Sequence, residues 1–432
     1  MKGKDLSYKL LKVKGYNKKK AMHMEINKIE ISGFKGISKL IISPKKINVL
    51  VGKNNTGKTS VLEAINYTLK SNEFENFPSP YEPPILYREI SKLINVKKNE
   101  ADISLKINNK IRLVRFKKLT LEEALQEFKK QILKGIKLYI SRYNRHKNEK
   151  PLQDNRNDEN TWREITKIID EILNSKNAIE EIIKNSIKIE TEDKNIYVFT
   201  RIPRELAASK LLEDYLKKSF SERRLIFTHF MSPLLLFPSF FSLQKPYKET
   251  EQEVTFIRNL QEPISEITKS KINEIENYLK NKQILKNLER FDFDEILFNE
   301  NNQEYEIPYA FMGDGFKCLV GLLAQLSKNN KIILIEEPEN HMHPAYIREL
   351  MRNILTFSKE NNVQFFITTH NSDILDTVVL DLLEESYREF LEKELRIIRL
   401  ESFGEDIVAD ELDRSSAKKN LEDIKLDLRG NS

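Results

Sequence analysis

Gly52-Lys53-Asn54-Asn55-Thr56-Gly57-Lys58-Thr59 is the stretch from which the rest of this chain can be read. It holds the two glycines, the lysine and the hydroxyl of the phosphate-loop pattern at their required spacing. The flanks come in the required order. Ile47-Asn48-Val49-Leu50-Val51 is apolar enough to be a buried strand, and Ser60-Val61-Leu62-Glu63-Ala64-Ile65 opens a helical pattern. In such a loop the glycines let backbone N–H groups turn inward around an anion, and the helix start adds partial positive charge. Lys58 would reach the outer phosphates and Thr59 would hold Mg²⁺. The predicted nucleotide contacts are Gly52, Asn54, Asn55, Thr56, Gly57, Lys58, Thr59 and Ser60.

Upstream, Ile26 to Ile31 alternates as a half-buried strand, Ser32-Gly33-Phe34-Lys35-Gly36 breaks it, and Ser38 to Ile42 resumes it. Downstream, a proline-rich loop at 77–84 precedes a predicted hairpin, Ala101–Ile107 and Ile111–Phe116, turning at Asn108-Asn109. From Leu121 to about Phe220 apolar residues recur at spacings of three and four, interrupted by the polar stretch 147–160. No heptad pattern persists long enough for a rod, so this segment is expected to be a compact, mainly helical lobe with Trp162 in its core. A further helix is expected over Ile257–Leu288. Two apolar strands then end in chemistry-bearing residues: Lys331-Ile332-Ile333-Leu334-Ile335 in Glu336-Glu337, and Val363 to Thr369 in His370. Alternation of strand and helix predicts an α/β fold with a mixed, largely parallel sheet, whose ligands lie beyond the carboxyl ends of the strands.

That edge would gather the groups hydrolysis needs. Glu336, first after its strand, is placed to hold Mg²⁺ with Thr59. Glu337 is placed to align or deprotonate the attacking water, and His370 to contact the γ-phosphate. The predicted catalytic set is Glu337, His370 and Lys58.

These residues carry a resemblance. Glu336-Glu337-Pro338-Glu339-Asn340-His341-Met342-His343-Pro344, with the phosphate loop before it and Thr368-Thr369-His370-Asn371-Ser372 after it, resembles the ABC-type ATPases related to RecF and SMC proteins. Within them it is similar to the AAA-family ATPases that include the overcoming-lysogenization-defect ATPase domain. The opening Ile29 to Gly36 is also typical, and the resemblance covers roughly 24–115 and 300–430. It implies a P-loop NTPase fold with an ABC-type core, ATP and Mg²⁺ as cofactors, and a head-to-tail dimer in which a signature loop closes over the partner's γ-phosphate. Met312-Gly313-Asp314-Gly315 stands where that loop belongs, with Gly313 and Gly315 as expected contacts and Gly313 in place of the usual serine. Gln244 is the candidate for the family's glutamine loop. Only about 60 residues follow His370, too few for the nuclease domain joined to this ATPase in the overcoming-lysogenization-defect proteins. Any effector nuclease is therefore expected on another chain, with DNA as a candidate partner. The expected organisation is a basic extension over 1–23, core over 24–115, helical insertion over 116–245 and core over 246–432.

Composition narrows the remaining classes. The net charge is +6, yet residues 1–22 hold eight Lys against one Asp, so the body of the protein is close to neutral. That Lys-rich stretch reads either as a phosphate-binding arm or as sequence upstream of a start at Met22 or Met24. The single cysteine, Cys318, excludes an internal disulfide framework and fits a reducing compartment. No apolar run reaches the roughly 20 residues of a membrane span, and no signal-peptide core is present, so a cytoplasmic protein is expected. A guanine-reading Asn-Lys-x-Asp motif is missing, since Asn281-Lys282-Gln283-Ile284 lacks the acid.

Overall fold

A computed structural model describes residues 24–71, 90–146, 156–199, 203–207, 209–219, 254–260, 267–281, 283–326, 331–340, 342–380, 382–404 and 406–422. The expected extension at 1–23, the loop at 77–84 and Gln244 lie outside the described residues. Strands β3 (Ile47–Val51), β8 (Val254–Ile257), β12 (Ile332–Glu336), β13 (Gln364–Thr368), β14 (Leu395–Phe403) and β15 (Asp406–Leu412) form one sheet, in the order β15-β14-β3-β13-β12-β8. All its pairs are parallel except β14 with β15. Strand β3 is buried along its whole length. Leu50 faces one apolar cluster, while Ile47, Val49 and Val51 face another built largely from the helices Pro344–Asn361 and Ser372–Val379. Coverage on both faces is why these strands read as unbroken apolar runs.

A second, wholly antiparallel sheet has β1 (Ile26–Phe34), β2 (Ile37–Ile42), β4 (Glu100–Ile107), β5 (Lys110–Lys117), β6 (Ser186–Glu190) and β7 (Asn195–Phe199), in the order β2-β1-β4-β5-β6-β7. The helix Lys58–Leu69 lies between the two sheets and is buried nearly all round. Buried polar groups stitch the sheets together. Gln364 receives the Ile26 N–H at 2.9 Å and donates to Ile26 O at 2.9 Å and Lys45 O at 2.7 Å. Within the parallel sheet, Asn48 of β3 donates to Phe365 O of β13 at 2.9 Å and to Lys45 O at 2.7 Å. Satisfied in this way, such groups act as register pins rather than as penalties.

Two expectations need correction. The mainly helical segment 121–220 also supplies strands: after the helices Leu121–His146, Arg156–Leu173 and Lys176–Lys184, β6 returns to pair with β5 and β7 pairs with β6. They alternate over only five residues each, a short signal beside long helical runs. The described residues of the expected insertion therefore extend the antiparallel sheet as well as forming a lobe around Phe128, Ile165 and Ile169, against which Trp162 packs. Over Ile257–Leu288, where one helix was expected, the described residues hold the helix Lys269–Asn281, while Ile257 ends β8 and Leu288 begins β9 (Leu288–Phe291). Strand β9 joins β10 (Glu295–Glu300) and β11 (Gln303–Pro308) in a small sheet, turned at Asn301 and Asn302 with φ of 53° and 65°. Two asparagines between alternating runs are a hairpin signal that the sequence does carry. This sheet shares an aromatic core, Phe291, Tyr309 and Phe316, with the helix Asp314–Leu326.

Candidate functional site

The phosphate loop owes its shape to two glycines. Gly52 has φ 147°, and a Cβ there would lie 2.3 Å from Leu400 O; Gly57 has φ 86°, and a Cβ there would lie 2.9 Å from Ile407 Cδ1. Neither place admits a side chain. Asn54 and Asn55 are exposed on the loop and Ser60 is half-buried. Thr56 is buried, its hydroxyl donating to Lys53 O at 2.9 Å. Lys58 is buried beneath the loop, and its ammonium donates to Gly52 O and Lys53 O, both at 2.9 Å. Burial holds that ammonium below its ordinary pKa, opposed by Glu337, Glu336 and Glu339.

The parallel sheet brings the acids to the same edge. Thr59 Oγ1 donates to Glu336 Oε1. A hydroxyl and a carboxylate in contact are a hard-oxygen pair that fits Mg²⁺, which takes one or two protein ligands and fills its shell with water and phosphate oxygens. Among the described residues no group of three or more His, Cys, Asp or Glu is arranged around a metal.

Glu337 turns the chain sharply. Its φ is 43°, in the left-handed region, and its N–H donates to Thr368 O at 3.1 Å and to Thr368 Oγ1 at 3.2 Å. Strain of this kind persists only where surrounding structure holds it. Here it sets the Glu337 carboxylate 3.1 Å from His370 Nε2 and within reach of the Asn340 amide at 3.4 Å. A cleft of about 270 Å³ opens beside Glu336 and Glu337, with Arg258, Asn259 and Asn340 in its wall.

His370 is held from behind by Glu339, a residue to which the sequence alone assigns no role. Glu339 is only 6% exposed, and its Oε1 accepts from the Thr369 hydroxyl and from the His370 N–H at 3.1 Å. Burial pushes its pKa up, against those hydrogen bonds. For His370, burial and then the Lys58 charge lower the pKa from 6.5, with Glu337 opposing. The imidazole is therefore neutral at pH 7, with its Nε2–H directed at Glu337. In the unfolded chain it binds a proton more readily, so its contribution to stability is present above pH 6.5 and is lost as pH falls below that and through the lower value of the folded state. An NMR titration should place His370 below 6.5, and Lys58→Met should move its midpoint upward by removing a nearby positive charge; a midpoint unmoved by Lys58→Met would overturn the coupling.

A second charge cluster borders the site and was not evident from sequence. Glu63, 2% exposed on the helix after the loop, binds both Lys35 and Arg258, the latter at 2.8 Å. Lys35 and Arg258 both feel the charge of Glu336. The one available signal was the sole acidic residue on the helix Lys58–Leu69.

The candidate signature residues divide. Gly313 is exposed with open space where a Cβ would point, whereas Gly315 is buried, its Cβ position 3.0 Å from the Tyr346 ring. The expected Gly315 contact is thus a packing position in the first turn of the helix Asp314–Leu326, and Gly313 is the outward-facing glycine. The His343-Pro344 pair has a local duty: His343 Nδ1 caps the helix Pro344–Asn361 by accepting from Ala345 N at 3.3 Å, with proline at the first helical position.

Residues 24–375 match the family model described as an AAA ATPase domain. The "ATP/GTP phosphatase" of Helicobacter pylori is 34% identical over 114 residues, 22% of this chain and 31% of that protein. The match thus spans about a third of that relative. The uncharacterized protein MJECL11 of Methanocaldococcus jannaschii is 34% identical over 122 residues, 28% of this chain and 100% of that protein. Among solved structures, the Smc head domain derived from Pyrococcus furiosus, bound to the C-terminal domain of ScpA, aligns at 14% identity with a TM-score of 0.40, covering 93% of this chain and 100% of that one. The SMC head domain from Thermotoga maritima aligns at 12% identity with a TM-score of 0.35, covering 90% of this chain and 99% of that one.

Proposed function

The chain belongs to the AAA ATPase domain family, and from that premise we propose that it hydrolyses ATP at this sheet edge and uses the bound nucleotide as a switch for head-to-tail dimerisation. The observation that carries the reading is the convergence of Lys58, the Thr59–Glu336 contact and the Glu337–His370 pair at the ends of three neighbouring strands. Loop N–H groups and Lys58 hold the phosphates. Glu337 takes the proton from water as the oxygen bonds to the γ-phosphorus and the bond to the ADP oxygen breaks. Neutral His370 orients Glu337 through Nε2–H. Thr59 and Glu336 would hold Mg²⁺, which supplies charge neutralisation on the β- and γ-phosphates when bound.

Exposed Gly313 would meet the γ-phosphate bound by the partner subunit, through its backbone and the adjoining helix start. The switch would serve DNA repair, DNA processing or phage defence through an effector on a separate chain, in keeping with the resemblance to the overcoming-lysogenization-defect ATPases. With no hydroxyl at Gly313 the closed dimer has one phosphate contact fewer. That favours slow turnover, and in the limit an ATP-gated scaffold with negligible hydrolysis.

Light scattering with and without ATP and Mg²⁺, run beside a phosphate-release assay, tests the reading. The wild-type protein should dimerise on ATP and release phosphate slowly. Gly313→Glu should still bind ATP as a monomer but lose ATP-dependent dimerisation and at least tenfold of its turnover, because the new carboxylate repels the γ-phosphate across the interface. Dimerisation of this variant at the wild-type ATP concentration would overturn the assignment of Gly313.

A further inference from the structure

One cation in the wall of the cleft has no part in the steps above. Arg258 is the first residue after β8, and Ile257 pairs with Ile335. Arg258 therefore comes level with Glu336 on the neighbouring strand, ~4.8 Å away. Both side chains turn to the helix Lys58–Leu69, Glu336 meeting Thr59 and Arg258 meeting Glu63. Thr59 and Glu63 are four residues apart, so they lie one above the other on the same helix face, roughly 6 Å apart. The guanidinium is thus one helical turn from the pair proposed to hold Mg²⁺.

That guanidinium is held but not used up. Glu63, 2% exposed, gives Oε2 to Lys35 and Oε1 to Arg258 Nη2, the latter at 2.8 Å. With the carboxylate divided in this way, the arginine fork does not close on it as a two-pronged pair would. One face of the guanidinium lies over the Phe256 ring, 4.8 Å from its centroid. Nε and Nη1 find no acceptor among the described residues, and the side chain is 50% exposed. Arg258 lines the cleft of about 270 Å³ together with Asn259, Glu336, Glu337 and Asn340, and it is the single cation among the described residues there. Two carboxylates alone would repel a γ-phosphate; a guanidinium in the same wall offsets them.

We propose that Arg258 is a further catalytic residue, its remaining N–H groups donating to the γ-phosphoryl oxygens as charge builds on them during transfer to water. The inference rests on hydrolysis at this edge. The bonds made and broken stay as described, with Glu337 taking the proton, and Arg258 keeps its own protons throughout. Held by Glu63 and stacked on Phe256, the guanidinium is in place before the reaction begins, which is what gives such donors their effect. Its planar fork suits two phosphoryl oxygens at once, as a lysine ammonium does not.

Phosphate release, ADP binding, and binding of orthovanadate to the ADP complex, each on the full chain with Mg²⁺, test it. Vanadate stands in for the transferring phosphoryl group. Arg258→Met should lower kcat about 10²-fold, weaken vanadate binding at least tenfold and leave the Kd for ADP within twofold. Arg258→Lys keeps a cation beside Glu63 and so guards the fold, yet without the fork it should still weaken vanadate binding at least fivefold. Vanadate binding within twofold of wild type in Arg258→Met, or in Arg258→Lys should the first variant not fold, would overturn the inference and leave the hydrolysis reading standing. Equal weakening of ADP and vanadate would also overturn it, since the change would then act on the shape of the site. Wild-type protein that releases no phosphate from ATP would sink the hydrolysis reading and this inference together.

Discussion

Glu337→Gln should lower ATP turnover by about 10²–10⁴-fold, the range expected when a positioned general base is removed, while ATP still binds. The substitution keeps the shape of the side chain and the backbone that aims it. The φ of 43° and the two contacts from Glu337 N to Thr368 belong to the main chain and survive. What the amide loses is the capacity to accept a proton from water. Its own N–H₂ can also meet the His370 Nε2–H 3.1 Å away, so the pair no longer orients a single acceptor. Lys58 and the loop amides remain, and affinity should stay within a few-fold or tighten as the ATP-bound dimer persists. Single-turnover phosphate release beside equilibrium ATP binding checks both halves. Turnover within threefold of wild type would remove Glu337 from the role of base.

The second large effect concerns stability. Glu63→Ala should destabilise the protein by about 3 kcal/mol, the low end for removing one partner of a buried ion pair. The low end applies because Arg258 can turn to water, whereas Lys35 cannot easily do so: its side chain is 17% exposed and that of Arg258 is 50% exposed. Lys35 already holds its proton less tightly than usual because of burial, with Glu63 as the main counterweight. The double variant Lys35→Met with Glu63→Leu removes both buried charges and should recover most of the loss. Urea unfolding followed by circular dichroism gives the comparison. A double variant as unstable as Glu63→Ala would show that packing of the helix Lys58–Leu69, and not an uncompensated charge, sets the cost.

How legible these features were depends on how far apart along the chain their parts lie. The phosphate loop, its strand and its helix occupy Ile47–Leu69, and each conformational demand there is met by a neighbouring residue. The acids after β12 and the histidine after β13 were legible as strand ends, because in a parallel sheet every carboxyl end falls on one edge. Strands β6 and β7 were not, since five alternating residues declare a strand only when a partner is present, β5 for β6 and β6 for β7. Strand β8, the short run Val254–Ile257, gains its identity from β12 in the same way. Nor does any local pattern announce that Arg258 meets Glu63, a partner 195 positions away.

From the sequence by itself one could determine the phosphate-loop pattern with its strand and helix, the acidic strand end and the α/β architecture. These rest on short-range rules: glycine at positive φ, apolar runs for strands buried on both faces, and helix starts that favour anions. Only the tertiary structure decided that Glu339 steadies His370, that Glu63 binds both Lys35 in the β1–β2 turn and Arg258 after β8, and that Gly315 is buried against Tyr346. Each is a relation between residues brought together by sheet pairing or helix burial, and burial gives a carboxylate or a glycine its meaning only once its neighbours are in place.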